Sequence, residues 1–357
     1  MKTVSVVLAG GSGTRFWPLS RAESPKQVLN ISGNDVMINE TIRRTEGLIA
    51  PDDSFIVTAK SQLPTLDDVL LPELPRGNIL PEPVQRNTAP CILYAALKLK
   101  KQYGDAVMCV FSADHYITND DEFRRIIGEA ARIAEAEDKL LTLGTKPAFP
   151  ATGYGYIRFE REPASGEAHG VLEFVEKPNY ERAQAYVKSG DYLWNSGIFV
   201  WKVSTILAAF ERYLPRIYSK LLPWEEAIGT AREEDLLAEI YPELQKISID
   251  FGILERSNDV LVIPSDFGWS DVGSWDALGT IFPPDEDGNI VRADEFVAIG
   301  TTGNIIHSEG QLIAAVGVHN MIVVSTKDAL LLCPKDRAQD VKKIVDRLTE
   351  LGMTQYL

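Results

Sequence analysis

Residues 8–29 read LAGGSGTRFWPLSRAESPKQVL and follow an apolar run, Val4 to Leu8, that reads as a buried strand. A strand running into Gly10, Gly11 and Gly13 gives a loop nearly free of Cβ atoms. Its backbone N–H groups can close around phosphate oxygens. Arg15 lies two residues beyond the last glycine and Lys26 follows Pro25, so two cations stand beside a phosphate-sized nest. This is neither of the two commoner glycine loops. A P-loop needs a Lys-Ser or Lys-Thr pair after its glycines, and none follows here. A dinucleotide fingerprint opens straight into a helix, which Pro18 and Pro25 interrupt. A plain glycine-rich turn leaves Arg15 and Pro25-Lys26-Gln27 unexplained.

The 357 residues are 45% hydrophobic and 24% charged, an ordinary globular balance with length for one large domain and a smaller one. Apolar runs such as Ala106–Phe111 fall far short of the ~20 residues of a membrane span. Met1-Lys2-Thr3 enters a strand at once, which predicts no signal peptide and a cytoplasmic protein. Cys91, Cys109 and Cys333 sit in apolar patterns without a CxxC, as core thiols do in a reducing compartment. The net charge of −15, from 36 basic and 51 acidic side chains, argues against nucleic acid or an anionic membrane as partner. An acidic protein that binds phosphates must gather its cations locally and recruit a divalent metal.

Apolar runs at Val4–Leu8, Ser54–Ala59, Asn78–Leu80 and Ala106–Ala113 alternate with helical patterns at Val36–Leu48, Thr88–Lys101 and Asp121–Ala136. This predicts βαβ units, hence an α/β, doubly wound Rossmann-like domain with a mostly parallel sheet and its ligand at strand C-terminal ends. Shorter strands at Tyr154–Phe159, Val171–Val175 and Gly197–Trp201 suggest a lobe with antiparallel pieces, packed by a helix after Pro178 and another over Thr205–Tyr213. Pro283-Pro284 marks a boundary. Beyond it, β-branched runs at Asn289–Val291, Phe296–Ile299, Asn304–Ile306, Leu312–Val316 and Ile322–Val324 predict a small β module, and Asp336–Leu351 a terminal helix. The expected domains are 1–282, with a nucleotide half of about 1–140 and a second lobe of about 141–282, and 283–357.

LAGGSGTRFWPLSRAESPKQ closely resembles the signature of the sugar-1-phosphate nucleotidyltransferases, and Phe16-Trp17-Pro18-Leu19-Ser20 resembles its mannose-1-phosphate guanylyltransferase branch. The resemblance covers most of residues 1–280. It implies a GT-A-like catalytic domain and a C-terminal module like a left-handed β-helix, although no clean hexapeptide period is visible. Under it, Leu8, Gly10, Gly11, Ser12, Gly13 and Thr14 cover the triphosphate, which Arg15 and Lys26 contact.

Asp114 (in FSADHYI) ends a strand and Asp271 (in GWSDVGSW) follows another. Magnesium takes one or two protein carboxylates and completes its octahedron with phosphate oxygens and water. This pair matches the family's Mg2+ positions, although either residue alone reads as a helix N-cap. In FVEKP (174–178), Lys177 is a point cation suited to a sugar phosphate, the role the family gives it. Glu176 can accept from sugar hydroxyls, and the bland reading is a surface Glu-Lys pair. Asn195 (in WNSGIFVW) and Gly153 (in ATGYGYI) complete the sugar pocket by order and spacing, where each alone would be a turn residue. Glu82, ahead of PVQRNTAP, is the acceptor suited to the N1–H and N2–H₂ edge of guanine. Asn87 or Thr88 caps a helix, the cap sets the loop and the loop presents polar groups to the base, while Arg86 reads as surface charge.

The expected reaction joins GTP and mannose 1-phosphate to GDP-mannose and pyrophosphate, with Mg2+ as cofactor and Arg15, Lys26, Asp114 and Lys177 as the catalytic set. The β module is a candidate homodimer contact. No isomerase domain of the kind some bifunctional relatives carry follows, so one activity is expected. The alternatives are another sugar 1-phosphate or nucleotide, and a non-catalytic GDP-sugar-binding scaffold. Asp266-Phe267-Gly268 lacks the rest of a kinase signature, the histidines lack metal spacing, and no GxSxG occurs.

Overall fold

Val4, Val6 and Val7 are fully buried in strand β1 (Thr3–Ala9), as a strand covered on both faces requires. The computed structural model describes residues 1–11 and 13–357, and Ser12 lies outside the described residues. Two compact units share the chain. Unit 1 comprises Met1–Gly10, Asn39–Ala113 and Ile117–Trp269, and unit 2 comprises Gly11–Ile38, Asp114–Tyr116 and Ser270–Leu357.

In unit 1, β1 joins β2 (Ser54–Ala59), β3 (Ile79–Glu82), β4 (Val107–Ser112), β5 (Leu140–Thr145), β6 (Tyr156–Ser165), β7 (Ala168–Val175), β8 (Tyr192–Lys202) and β9 (Val260–Ser265). The sheet order is β3-β2-β1-β4-β8-β5-β9-β7-β6. The first four strands run parallel, as the βαβ pattern predicts. The chain walks outward from β1 to β3 and returns to β4 on the other side, so a topological switch point lies between β1 and β4. Beyond β4 the order departs from a mostly parallel sheet. The eleven-residue β8 pairs antiparallel with both β4 and β5, while β5 and β9 are parallel. The antiparallel pieces expected in the second lobe, β6 to β8, are members of the one sheet.

Helices cover both faces. Helix α1 (Thr88–Tyr103) packs with α4 (Val203–Tyr213) and α5 (Pro215–Ala227) against Val4, Val6, Met108, Val110 and Trp201. On the other face Phe123 of α2 (Asp120–Ala136) meets Phe111 of β4 with ring centroids 5.6 Å apart. The alternation Val110/Phe111 to opposite faces is the period of two of a strand. Helix α3 (Tyr180–Ser189) follows Pro178 as expected, capped by Asn179.

Unit 2 has its own core. Phe16 and Trp17 of the signature pack against Val272, Trp275, Ile290, Ile305 and Ile322. Strands β10 (Ile290–Arg292), β12 (Ile305–Ser308) and β14 (Met321–Ser325) stack in parallel, as do β11 (Phe296–Ile299) and β13 (Ile313–Val316). The chain thus winds in coils, a β-helix-like module. Ile290, Ile305 and Ile322 occupy one register, fifteen and then seventeen residues apart. That unequal step hides the hexapeptide period. Asn304 binds the coils together: its N and Nδ2 donate to Asn289 Oδ1, and its Oδ1 accepts from Met321 N. Strand β15 (Leu330–Pro334) closes the stack antiparallel to β14. The expected terminal helix is a 3-10 stretch, Lys335–Asp340, followed by α6 (Val341–Glu350).

Candidate active site

Gly13 has a left-handed φ of 62°, and a Cβ there would stand 2.3 Å from the Cβ of Lys26. Only glycine lets the loop close onto the Lys26 backbone. The Gly13 carbonyl accepts from Phe16 N at 2.8 Å and from Ser20 Oγ at 2.6 Å, which explains Ser20 in the signature. A Cβ on Gly11 would meet nothing within 4 Å.

Gly13, Thr14, Arg15, Lys26, Asp114, His115, Asp271 and Gly273 line one cavity of about 310 Å³ in unit 2. Three distant stretches of sequence thus meet, and Lys26 is their centre. Its buried ammonium donates to Asp114 Oδ2 at 2.9 Å, to Asp114 O at 2.9 Å and to Asp271 O at 2.7 Å. An ammonium has three N–H donors, and all are used. Burial pushes the half-buried Asp114 carboxyl up, but the charges of Lys26 and His115 and the Lys26 hydrogen bond prevail and hold it below its usual value. Arg15 is exposed at the cavity wall.

Neither aspartate caps a helix. Helix α2 is capped by Asn119, and the 3-10 turn Trp275–Ala277 has Ser274 at its N-cap. Asp271 Oδ1 instead accepts from Gly273 N at 3.2 Å, across Val272 at φ 45°. A β-branched residue in the left-handed region is strained. Val272 is fully buried, and Trp275 next to it donates Nε1 to Trp17 O at 3.1 Å. The core of unit 2 therefore fixes the loop that bears Asp271.

The sugar-phosphate candidates lie in unit 1. Lys177 has φ 48°, and its exposed Nζ donates to Glu176 Oε1 at 2.6 Å. A Cβ on Gly155 would stand 2.6 Å from Glu176 Oε2 and 3.2 Å from the Cβ of Asn195, so Gly155 is the glycine of close approach here. A Cβ on Gly153 would meet nothing within 4 Å. Asn195 Nδ2 donates to Asp250 Oδ1 at 3.0 Å. Burial, reinforced by the Glu176 charge, pushes the Asp250 carboxyl up to about 7.

Glu82 ends β3 and is buried. Burial pushes its carboxyl up to about 7, against the hydrogen bond it accepts from Tyr241 Oη. Its Oε2 lies 3.9 Å from the place of a Cβ on Gly10, and Gln85 Nε2 donates to the Gly10 carbonyl. Leu8 O accepts from Ala113 N at 3.0 Å, joining the ends of β1 and β4. Asn87 caps α1 with φ 70°, its Oδ1 accepting from Thr88 N at 2.8 Å. Thr88 Oγ1 accepts from Ile249 N at 2.9 Å. Arg86 is not mere surface charge, because its guanidinium donates to Pro242 O. His115, Gly155, Tyr241 and Asp250 are the residues that the motifs did not mark.

A larger cavity of about 430 Å³ in unit 1, lined by Asp138, Thr205, Arg212, Tyr213 and Asp259 among others, holds none of the motif residues. Among the described residues no group of three or more His, Cys, Asp and Glu could hold a metal ion. Among the described residues the unit 2 cavity offers two carboxylates, the His115 imidazole and no sulfur. The two carboxylates suit Mg2+, which takes one or two of them and relies on substrate phosphates and water for its remaining ligands. Among the described residues no helix is long and apolar enough to cross a membrane.

The nucleotidyl transferase family profile matches residues 4–288, and a profile described as a MannoseP isomerase/GMP-like beta-helix domain matches residues 294–348. The chain belongs to the nucleotidyl transferase family. It is 38% identical over 98% of its length to a mannose-1-phosphate guanylyltransferase of Klebsiella pneumoniae, and 39% identical over 99% to one of Escherichia coli K12. It spans 75% of each of those proteins. Among solved structures, a Thermus thermophilus protein described as a mannose-1-phosphate geranyltransferase superposes with a TM-score of 0.89 at 33% identity. The match covers 98% of this chain and 100% of that one.

Proposed function

We propose that the protein transfers GMP from GTP to mannose 1-phosphate, giving GDP-mannose and pyrophosphate. The observation that carries this reading is the meeting of Arg15, Lys26, Asp114 and Asp271, from three stretches of chain, in one cavity. Two cations and two metal-type carboxylates are what a nucleoside triphosphate with Mg2+ needs. The full-length similarity to mannose-1-phosphate guanylyltransferases supports the choice of substrates.

In the proposed reaction a nonbridging oxygen of the sugar phosphate attacks the α-phosphorus in line. The bond to the β-phosphate oxygen breaks, and pyrophosphate leaves with its electron pair. The nucleophile is already anionic, so no strong base is required. Positioning and charge neutralisation then carry catalysis. Arg15, exposed on the cavity wall, neutralises the triphosphate. Lys26 adds its charge and holds the Asp114 and Asp271 loops in register. Asp114 and Asp271 would hold Mg2+, which when bound neutralises the phosphates further. Lys177 takes the phosphate of the incoming sugar, and Glu176 accepts from its hydroxyls. Glu82 takes the donor edge of guanine once ionised. Homodimer formation through the β module belongs to the same reading.

Initial rates of pyrophosphate release with mannose 1-phosphate and Mg2+ across GTP, ATP, UTP and dTTP test it. GTP is expected to be at least about a hundredfold better, because unpaired buried polar groups reject the wrong base. A preference for another nucleotide, or no pyrophosphate at all, overturns the proposal.

A further inference from the structure

Glu82 is the last residue of β3, and its two carboxylate oxygens have different surroundings. Oε1 accepts from Tyr241 Oη inside the protein. Oε2 lies at the end of β1, 3.9 Å from the place of a Cβ on Gly10. Beside it, Gln85 Nε2 donates to the Gly10 carbonyl. Tyr241 thus engages one oxygen. The other stands at the C-terminal ends of the strands, where an open α/β sheet holds its ligand.

Tyr241 is itself pinned. It is fully buried in the 3-10 turn Tyr241–Glu243. Its ring meets Tyr94 of α1 edge-on, with centroids 5.9 Å apart, and Tyr94 meets Trp224 of α5 at 4.9 Å. The carbonyl of the next residue, Pro242, accepts from the Arg86 guanidinium, and Ile247 N donates to Arg86 O at 3.3 Å. The turn that bears Tyr241 is therefore laced to the loop that follows Glu82. A ring locked by packing offers its hydroxyl at a fixed point. The other titratable groups that face Glu82 are Cys91 and Tyr94, three residues apart on α1. Burial raises the thiol and both phenols well above their ordinary values, so all three stay neutral while Glu82 titrates. Burial disfavours the ionised form of Glu82, and the Tyr241 hydrogen bond favours it.

We propose that Tyr241 is a positioning residue for base selection, holding Glu82 so that one carboxylate oxygen is presented to the donor edge of guanine. This rests on the assignment of Glu82 to the base. Steady-state kinetics of Tyr241→Phe with GTP and with inosine triphosphate, which lacks the 2-amino group, test it in the presence of mannose 1-phosphate and Mg2+. At pH 7 the KM for GTP is expected to rise about tenfold, the low end for a hydrogen bond to a charged group, with kcat and the KM for mannose 1-phosphate within about twofold. The preference for GTP over inosine triphosphate shrinks. Loss of the hydrogen bond leaves more of Glu82 protonated, so the rise in the KM for GTP on acidification sets in about one pH unit higher than in the wild type. A merely structural loosening would not move that pH dependence. In a Glu82→Ala background, Tyr241→Phe adds less than about twofold, because Tyr241 acts through Glu82.

An unchanged KM for GTP, equal rises for both substrates, an unmoved pH dependence, or a further loss in the Glu82→Ala background overturns the role of Tyr241. If Tyr241→Phe does not fold, the comparison of Glu82→Ala with Glu82→Ala/Tyr241→Phe decides, since the double variant leaves neither polar group buried without its partner. Wild-type turnover separates the two levels. If the wild type uses GTP and inosine triphosphate alike, the assignment of Glu82 to the base falls. If it prefers GTP and Tyr241→Phe keeps the whole preference, Tyr241 alone is misassigned.

Discussion

In unit 2 a buried ammonium holds a carboxyl below its usual value, while in unit 1 burial raises two carboxyls, Glu82 and Asp250, to about 7. Under the proposed function, the same side-chain chemistry serves different ligands. In unit 2 the Lys26 ammonium favours the ionised form of Asp114, as a polyphosphate and a divalent metal demand. Around Glu82 and Asp250 burial outweighs the neighbouring groups, and the acids are partnered by Tyr241 and Asn195. Under the proposed function, a strongly acidic chain binds anions by gathering Arg15 and Lys26 at one cavity.

The largest effect that would break this contrast concerns Asp271. Asp271→Asn is expected to cut Mg2+-dependent kcat by at least about a thousandfold, since it removes half of the carboxylate pair. A near-normal rate would take Asp271 out of the metal site. Next comes Lys26→Met. Removing the buried ammonium leaves the half-buried Asp114 carboxylate without its partner, which costs about 1–3 kcal/mol because solvent screens part of the charge. A thermal melt should fall accordingly, and Asp114→Asn in the same background should recover part of the loss. A melt unchanged by Lys26→Met would show that Lys26 does not organise the cavity.

The smallest effect is a pH slope. A carboxyl raised in the folded state favours folding fully below its unfolded value near 4.5, and that contribution is lost as pH climbs through about 7. Glu82→Gln should therefore flatten stability between about pH 5 and 8 by about 2–3 kcal/mol. Asp114 has the opposite sign: its contribution is present above the unfolded value and disappears in acid. In the wild type the KM for GTP should rise as pH drops below about 7, because protonated Glu82 loses an acceptor. A flat wild-type profile would argue that Glu82 is ionised throughout.

Much of this was legible in the chain. The strand–glycine–cation order of residues 4–26 pointed to the unit 2 cavity, and the alternation of apolar runs gave β1 to β4 and their helices. What escaped has physical reasons. Asp250 lies in SIDFG, where a serine cap and an acid in the first turn look like ordinary helix punctuation. Tyr241 sits in a short 3-10 turn with no periodic signal. In β15, Leu330 and Leu332 are exposed while Leu331 and Cys333 are buried, so a continuous apolar run concealed an alternating strand. The reversed β8 is long because residues 192–196 continue the strand and carry Asn195, and side-chain spacing says nothing about which neighbours a strand chooses. The saturation of Lys26 depends on two backbone carbonyls, which no sequence displays.

The division of labour between the two clusters is tested most directly by calorimetric titration of two variants against two ligands, pyrophosphate with Mg2+ and mannose 1-phosphate. Asp271→Asn should lose pyrophosphate binding and keep mannose 1-phosphate, and Lys177→Ala should do the reverse. Loss of the same ligand by both variants would contradict the account.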